Sequence, residues 1–192
     1  MECKKLKLIS PIPPSQNHYT GIRIIKSGGK NIPIVYKTNE AKEYEEIFER
    51  IVRNEVKRQS YKANLDSEQH FYVDAVFYFD RKHKDSSNSD KVLLDVITRT
   101  QLVWKDDSIV LFRPQRIYYD AQNPRIELFV YPVDYIGIFD NKEKLDEFEN
   151  NCKTCKRYYR NCSILNKAKE GRIQSEIKDM VCSKYKEQKD EN

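Results

Sequence analysis

Side chains that could do chemistry are concentrated between residues 84 and 109. Asp85 lies in a polar loop, and Asn88, Lys91 and Asp95 follow it at spacings of three and four residues. Positions with these spacings share one face of a helix. The other acids of the segment are Asp90, Asp106 and Asp107. Carboxylates gathered in this way bind a hard divalent cation, pair with basic side chains or are solvated on a loop, and the pattern leaves these three alternatives open.

The elements that must position these residues follow from apolar periodicity. Apolar residues alternate from Phe71 to Phe79, which predicts a strand, whereas the stripe from Tyr44 to Val56 has helical spacing. In chain order the patterns predict a strand at 5–10, a hairpin at 19–36, a helix at 40–59 capped by Thr38 or Asn39, a strand at 69–80, a helix capped by Ser87 or Asn88, and strands at 109–119 and 125–130.

These elements predict an α+β domain in which two helices pack on a mixed β-sheet. We expect this domain to occupy residues 1–135. A polar helical stretch begins at residue 141, so residues 136–192 are predicted to form a small helical C-terminal extension.

Charge is unevenly distributed along the 192 residues. The net charge is +6 over residues 1–37, −4 over 38–140 and +3 over 141–192. An acidic middle between two basic arms suits a metal site beside a polyanion-binding surface, and ordinary solubilising charge is the alternative.

The sequence argues against a membrane protein and against a secreted disulfide scaffold. No apolar run approaches the roughly 20 residues of a membrane span, and the N-terminus lacks the apolar core of a signal peptide. We therefore expect a cytoplasmic protein, in which the five cysteines are not a disulfide framework.

The order of these parts resembles the RusA-type Holliday junction resolvases, endonucleases common in phages and prophages. The family's Pro-Pro-Ser-x-Asn-x-Tyr signature corresponds to Pro13 through Tyr19. Its Asp-x-Asp-Asn-x-x-Lys-x-x-x-Asp motif corresponds to Asp85 through Asp95, and its Trp-x-Asp-Asp segment to Trp104 through Asp107. The resemblance extends from about residue 5 to residue 131, and the combination is more specific than any of its pieces.

The resemblance implies a role for each residue of the segment. Asp85 and Asp107 would be the metal-binding catalytic carboxylates and Lys91 an essential cation beside them. The supporting residues would be Asn88, Asp95, Asp106, Ser87 and Asp90. Ser87 is a departure, because it stands where the family has the second aspartate, a principal magnesium ligand. Asp90 could replace that charge, whereas the serine hydroxyl can cap a helix or hold a metal-bound water.

Hydrolysis of a phosphodiester needs an activated water and positive charge beside the phosphorus oxygens. One or two Mg²⁺ or Mn²⁺ ions held by carboxylates, with a nearby lysine, supply both. Two ions about 4 Å apart demand at least three or four carboxylates, so we expect one well-bound ion at most in the free protein.

Basic residues around this segment would contact DNA phosphates without reading sequence. The predicted contacts are Arg23 and Lys30 in the hairpin, Lys82 and Lys84 in the loop, and Asn17 in the signature. Family members act as homodimers on branched DNA, because symmetrical nicks in a four-way junction need two related sites.

The C-terminal extension contains a second candidate metal site. Cys152, Cys155 and Cys162 could hold one metal, and Cys182 is the nearest fourth ligand, with Cys3 and His83 as distant ones. Cys182 lies near the end of a predicted helix that includes Ile173, Ile177, Met180 and Val181. Zinc is the first candidate, an iron–sulfur cluster the second and unligated thiols the third. Basic and aromatic residues at 153–160 could grip nucleic acid or pack on the protein.

Three functions follow from the sequence. The first is a metal-dependent endonuclease that cuts four-way DNA junctions in recombination, repair or phage DNA processing. The second is a protein of the same fold that binds branched DNA but cuts weakly because of Ser87. The third is a metal-stabilised regulatory or adaptor protein that works through the C-terminal extension.

Overall fold

The computed structural model describes residues 5–63, 65, 69–87, 89–158 and 160–188, except for the side chain of Gln16. The chain forms two compact units that divide between Pro132 and Val133. The elements of the first unit are, in chain order, β1 (Leu6–Ser10), α1 (Gln16–Tyr19), β2 (Thr20–Ser27), β3 (Lys30–Lys37), α2 (Asn39–Arg58), β4 (Phe71–Phe79), α3 (Asp90–Thr100), a 3-10 turn (Asp107–Ile109), β5 (Val110–Tyr119) and β6 (Arg125–Pro132).

The main sheet of the first unit is mixed, with strand order β1–β6–β4–β5. β6 is antiparallel to both β1 and β4, whereas β5 is parallel to β4. A parallel pair cannot be joined by a tight turn, and the chain from β4 to β5 passes through α3. The predicted α+β class with a mixed sheet is therefore confirmed.

The core lies between one face of this sheet and helices α2 and α3. Every second residue of β4 is buried, from Phe71 to Phe79, as the alternation predicted. The residues of this core from the two helices are Tyr44, Phe48, Val52, Val92, Leu93, Val96 and Ile97. Removing one large member, for example by Phe48→Ala, would cost about 3–5 kcal/mol of stability.

The two helices begin differently. The Thr38 side chain accepts a hydrogen bond from the Ala41 N–H at 3.1 Å, so Thr38 caps α2 as predicted. The N-cap of α3 is Ser89, without a side-chain cap. The prediction that Ser87 caps this helix was wrong because its hydroxyl bonds to Asp85 instead. Asn88, the alternative cap, lies outside the described residues.

The predicted hairpin is present as β2 and β3, joined at Gly28 and Gly29. Both glycines have positive φ, 57° and 77°, a conformation that glycine adopts without strain. The side chains of Ile22 and Ile24 are 73% and 69% exposed, so the hairpin adds little to the core.

The second unit contains α4 (Lys142–Lys153), α5 (Ile164–Lys169), β7 (Ile177–Lys178) and β8 (Val181–Cys182). Its buried residues are Phe139, Leu145, Phe148, Leu165 and Ala168. Gly137 approaches α5 closely: a Cβ added there would lie 2.0 Å from the Ala168 carbonyl oxygen. The apolar core of this unit is small.

The predicted helix leading to Cys182 was wrong, because β7 and β8 form a short antiparallel hairpin there. Asp179 and Met180 have φ of 49° and 59° and turn the chain between the strands. The apolar spacing imitated a helical stripe, yet Ile173 and Val181 are mainly exposed. Within the described ranges, none of the helices combines the length and apolarity that a bilayer crossing requires.

Candidate active site

Asp85 lies in the loop that leaves β4. Its Oδ1 accepts hydrogen bonds from the Ser87 backbone N–H at 2.9 Å and from the Ser87 hydroxyl at 2.7 Å. These two bonds hold the pKa of Asp85 below its usual range. The exposed carboxylate is therefore ionised at neutral pH, and Ser87 fixes the orientation of one of its oxygens.

A pocket of about 250 Å³ joins this loop to the proline-rich segment before α1. Its lining comprises Ile12, Pro13, Pro14, Ser15, Phe79, Lys84, Asp85 and Ser89. Two sequence motifs separated by some seventy residues thus meet at one surface. The nearby Lys84 Nζ lies 2.7 Å from an Asp80 carboxylate oxygen and forms an ion pair with it.

The negative charge of Asp107, in the turn that precedes β5, acts on Asp95 of α3. The pKa of Asp95 is raised, first by partial burial and then by the negative charge of Asp107. Lys91 and Lys37 oppose this effect. The chain therefore brings Asp95, Asp107 and Lys91 into one electrostatic group, where ionising Asp95 is costly and a cation would relieve the repulsion.

Trp104 anchors the segment that carries Asp107. Its side chain is fully buried and its ring lies 5.8 Å from that of Phe71. The indole N–H donates to the Thr98 hydroxyl at 2.7 Å, which ties the segment to α3. The tryptophan of the Trp-x-Asp-Asp segment thus has a packing role.

A buried ionic cluster beside these acids was missed by the sequence analysis. Glu45 of α2 accepts hydrogen bonds from the Tyr19 hydroxyl and from Lys37 Nζ, the latter at 2.5 Å. Its other oxygen lies 2.8 Å from an Arg99 guanidinium nitrogen. Burial raises the pKa of Glu45, but the bonds from Lys37, Tyr19 and Arg99 outweigh burial and lower it. Glu45 is therefore a charged residue in the interior.

Two features of the sequence are consistent with this cluster once its partners are known. Glu45 interrupts the apolar stripe of α2, immediately after Tyr44. Arg99 follows Asp95 by four residues, as Asp95 follows Lys91, which places the three on one face of α3. Tyr19 also closes the Pro-Pro-Ser-x-Asn-x-Tyr signature, so its bond to Glu45 links that signature to the helical layer.

The other predicted supporting residues have local roles in the described structure. Asp106 accepts a hydrogen bond from the Ser108 N–H at 2.8 Å and caps the 3-10 turn. The hydroxyl and N–H of Ser108 keep the pKa of Asp106 low. Asp90 is the first residue of α3 and accepts from the Lys91 N–H at 2.7 Å. Asn88 lies outside the described residues.

The predicted DNA-binding residues are distributed over β2, β3, α1 and the loop after β4. Arg23 of β2 stacks on Tyr36 at 5.6 Å from the ring centroid, and Lys30 begins β3 beside the glycine turn. Lys82 is exposed in the loop after β4, and Asn17 is exposed in α1.

No three Cys, His, Asp or Glu side chains in the described part of the chain are arranged to hold a metal ion. Mg²⁺ is commonly bound by one or two carboxylates, with water and substrate phosphates completing its shell. Asp85 is exposed and ionised, and Asp107 acts electrostatically on Asp95, so each is able to contribute a carboxylate oxygen to a site of this kind.

In the second unit, Cys152, Cys155, Cys162 and Cys182 line one pocket of about 730 Å³. All four are unbridged, and Cys155 is buried. Burial, followed by the charges of Cys182, Cys162 and Cys155, raises the pKa of the Cys152 thiol to about 11. The predicted four cysteines therefore converge on a common space.

Comparison with known proteins bears on the first unit. No match is found among curated proteins. The crystal structure of 2C-methyl-D-erythritol 2,4-cyclodiphosphate synthase from Plasmodium vivax is similar at 9% identity and a TM-score of 0.26. That match covers 67% of this chain and 95% of the other and carries no argument at this score.

Residues 11–131 match the family model described as "Endodeoxyribonuclease RusA". The match covers more than half of the chain and includes the proline-rich segment, the Asp85 loop, α3 and Asp107. The chain belongs to the RusA family of endodeoxyribonucleases, the Holliday junction resolvases.

Proposed function

We propose that this RusA-family protein is a metal-dependent, structure-selective endonuclease that cuts four-way DNA junctions in recombination, repair or phage DNA processing. The observation that carries the proposal is the meeting of the proline-rich segment with Asp85 in one pocket. A pocket that joins two motifs distant in the sequence is expected of a site held in place by the fold.

Asp85 and Asp107 would hold Mg²⁺ or Mn²⁺, which supplies charge neutralisation and lowers the pKa of a bound water. The protein's own residues do the positioning. Ser87 orients Asp85 through two hydrogen bonds, and the Lys91 ammonium binds phosphate oxygens near Asp95. Glu45 holds Lys37 so that its charge also faces Asp95.

The exposed basic residues would provide affinity for the arms of the junction. Arg23, Lys30 and Lys82 would contact phosphates, which carry no sequence information, and Asn17 and Lys84 would contact the backbone near the scissile bond. A junction would then be recognised by its shape and charge.

The direct test is cleavage of a synthetic four-way junction in Mg²⁺ or Mn²⁺, with a linear duplex of the same sequence as the control substrate. We expect paired nicks in the junction alone, and loss of cleavage in EDTA. Asp85→Asn and Asp107→Asn should each lower cleavage at least about 100-fold, because each removes a charge from the reacting centre. Asp134→Asn, an exposed aspartate outside the site, is the matched control.

Binding of the junction separates loss of chemistry from loss of folding. Both site variants should still bind the junction, since phosphate contacts come mainly from the basic residues. If neither variant lowers the observed cleavage, the assignment of Asp85 and Asp107 is wrong. If the wild-type protein binds the junction but does not cut it, the nuclease proposal is wrong.

A weakly cutting junction-binding protein is the second candidate, and Ser87 favours it. The serine adds no negative charge where the family has a carboxylate, and its hydroxyl donates a hydrogen bond to one oxygen of Asp85. Ser87→Asp is expected to raise cleavage and lower the Mg²⁺ concentration for half-maximal rate. Ser87→Asn, similar in size and neutral, should not. An unchanged rate with Ser87→Asp would show that this position does not face the metal.

A homodimer is part of the proposal, because symmetrical nicks on opposite strands need two related sites. Light scattering should give the mass of a dimer for the free protein and two chains per junction for the complex. A complex with a single chain that still makes both nicks would contradict this stoichiometry.

A further inference from the structure

The C-terminal unit builds a pocket whose walls contain four thiols. Cys152 lies in the last turns of α4, and Cys155 follows in a turn closed by the Cys155 N–H and the Cys152 carbonyl at 2.9 Å. Cys162 precedes α5, and Cys182 ends β8. Cys152 and Cys155 belong to one local turn, whereas Cys162 and Cys182 come from two other parts of the chain, so the convergence of all four is a property of the fold.

Backbone pairing holds the late part of the chain against the Cys155 turn. The Lys156 N–H donates to the Lys186 carbonyl at 2.7 Å, and the Gln188 N–H donates to the Thr154 carbonyl at 3.0 Å. The Lys186 N–H also donates to Cys155 Sγ at 3.4 Å. Backbone N–H groups directed at sulfur commonly surround cysteines that bind metals.

Basic side chains outnumber acidic ones around the pocket. Arg157, Lys169 and Lys184 line it, against one acidic residue, Glu149, which pairs with Lys169 at 3.0 Å. Cys152 and Cys182 also pack against the apolar cluster of the unit. Cationic and apolar walls together suit an anionic centre that is shielded from water.

Four cysteines are a ligand set for either of two kinds of metal centre. Four thiolates bind one zinc ion tetrahedrally, at about 2.3 Å. Four thiolates also hold an iron–sulfur cluster. All four cysteines of this unit line a space of about 730 Å³, and in the described residues no three of them are already arranged around an ion.

We propose that Cys152, Cys155, Cys162 and Cys182 bind a thiolate-ligated metal centre in this pocket, either one zinc ion or an iron–sulfur cluster. The centre also answers a structural need, because the apolar core of the unit is small and units of this size are commonly stabilised by a metal or by disulfides. Binding energy from the metal centre becomes folding energy of the unit. The proposal is independent of the nuclease function.

The test is metal and sulfide analysis of the full-length protein purified without oxygen. We expect either about one zinc per chain, or iron with an equal amount of acid-labile sulfide and visible absorption that fades on reduction. The first result identifies a zinc site and the second an iron–sulfur cluster. Protein that contains neither metal after purification, and takes up neither zinc nor a cluster when incubated with zinc or with ferrous iron and sulfide, would overturn the proposal.

Cysteine variants identify the ligands. Cys155→Ser and Cys182→Ser should each lose most of the bound metal, whereas Cys3→Ser, the matched control, should retain it. Junction binding by the same preparations shows whether the first unit remains folded when the metal is absent. Full metal content in both the Cys155→Ser and the Cys182→Ser protein would refute this ligand set.

Discussion

The buried carboxylate of Glu45 provides the sharpest test of the described site, because it joins α2 to α1, β3 and α3. Only 6% of its side chain is exposed, and Tyr19, Lys37 and Arg99 all donate to it. Glu45→Gln keeps the shape but removes the charge and directs an amide N–H₂ at a cation. We therefore expect a loss of stability without a cavity.

The size of the loss follows from the partners. A hydrogen bond to a charged group contributes about 1.5–3 kcal/mol, and the two cationic partners are affected most. Lys37 and Arg99 are 44% and 41% exposed, so water compensates part of each loss and the low end applies. The sum is about 2–4 kcal/mol, which corresponds to a fall in Tm of about 5–12 °C for the first unit.

Denaturant and thermal unfolding followed by Trp104 fluorescence would measure this change in the first unit. Glu46→Gln, on the exposed side of the same helix, is the matched control and should change stability by less than about 0.5 kcal/mol.

The pKa of Glu45 is lowered in the folded protein. The stabilisation that Glu45 provides is therefore present above its pKa in the unfolded chain, and it disappears as pH falls through its pKa in the folded protein. The difference between wild type and Glu45→Gln should therefore shrink in acid. Equal stabilities of Glu45→Gln and Glu46→Gln at neutral pH would refute the cluster.

Three further changes have defined outcomes. Asp95→Asn should raise the Tm at neutral pH yet lower junction cleavage. The pKa of Asp95 is raised in the folded protein, so its ionised form opposes folding. The gain in Tm should therefore vanish as pH falls below the pKa of Asp95 in the unfolded chain. Arg23→Ala and Lys30→Ala should each reduce the slope of log affinity against log salt by about 1, whereas Lys42→Ala on α2 should leave it unchanged. Gly137→Ala should destabilise the second unit by more than about 2 kcal/mol, because Gly137 has a φ of +59° and the added Cβ would collide with a backbone carbonyl oxygen. Hydrogen exchange of amides in the second unit would measure this loss. An unchanged exchange rate would contradict the close contact.

The parts of the fold that the sequence predicted are those determined by local periodicity. Alternation from Phe71 to Phe79 identified the central strand because one face of the sheet is buried and the other is not. The glycines at 28 and 29 identified the hairpin turn because few other residues adopt its positive φ. Neither feature depends on distant partners.

The parts that could not be predicted depend on contacts between distant segments. The role of Glu45 is set by Tyr19, Lys37 and Arg99, which lie on three other elements. Likewise, the stripe from Ile173 to Val181 fits a helix by spacing alone, but pairing of Ile177 with Cys182 makes it a hairpin. Helical spacing tells which residues share a face only if the segment is a helix.

If Asp85 holds the metal as proposed, the replacement of a family aspartate by Ser87 should make metal binding depend on DNA. Ser87 donates two hydrogen bonds to Asp85, so the loop keeps one fixed carboxylate oxygen. With one charge fewer, the free protein should hold Mg²⁺ weakly, and phosphates of the bound junction would supply the missing anionic ligands. Metal and junction would then bind cooperatively, and linkage requires each to increase the affinity of the other by the same factor. We therefore expect Mg²⁺ to bind more tightly to the junction complex than to the free protein.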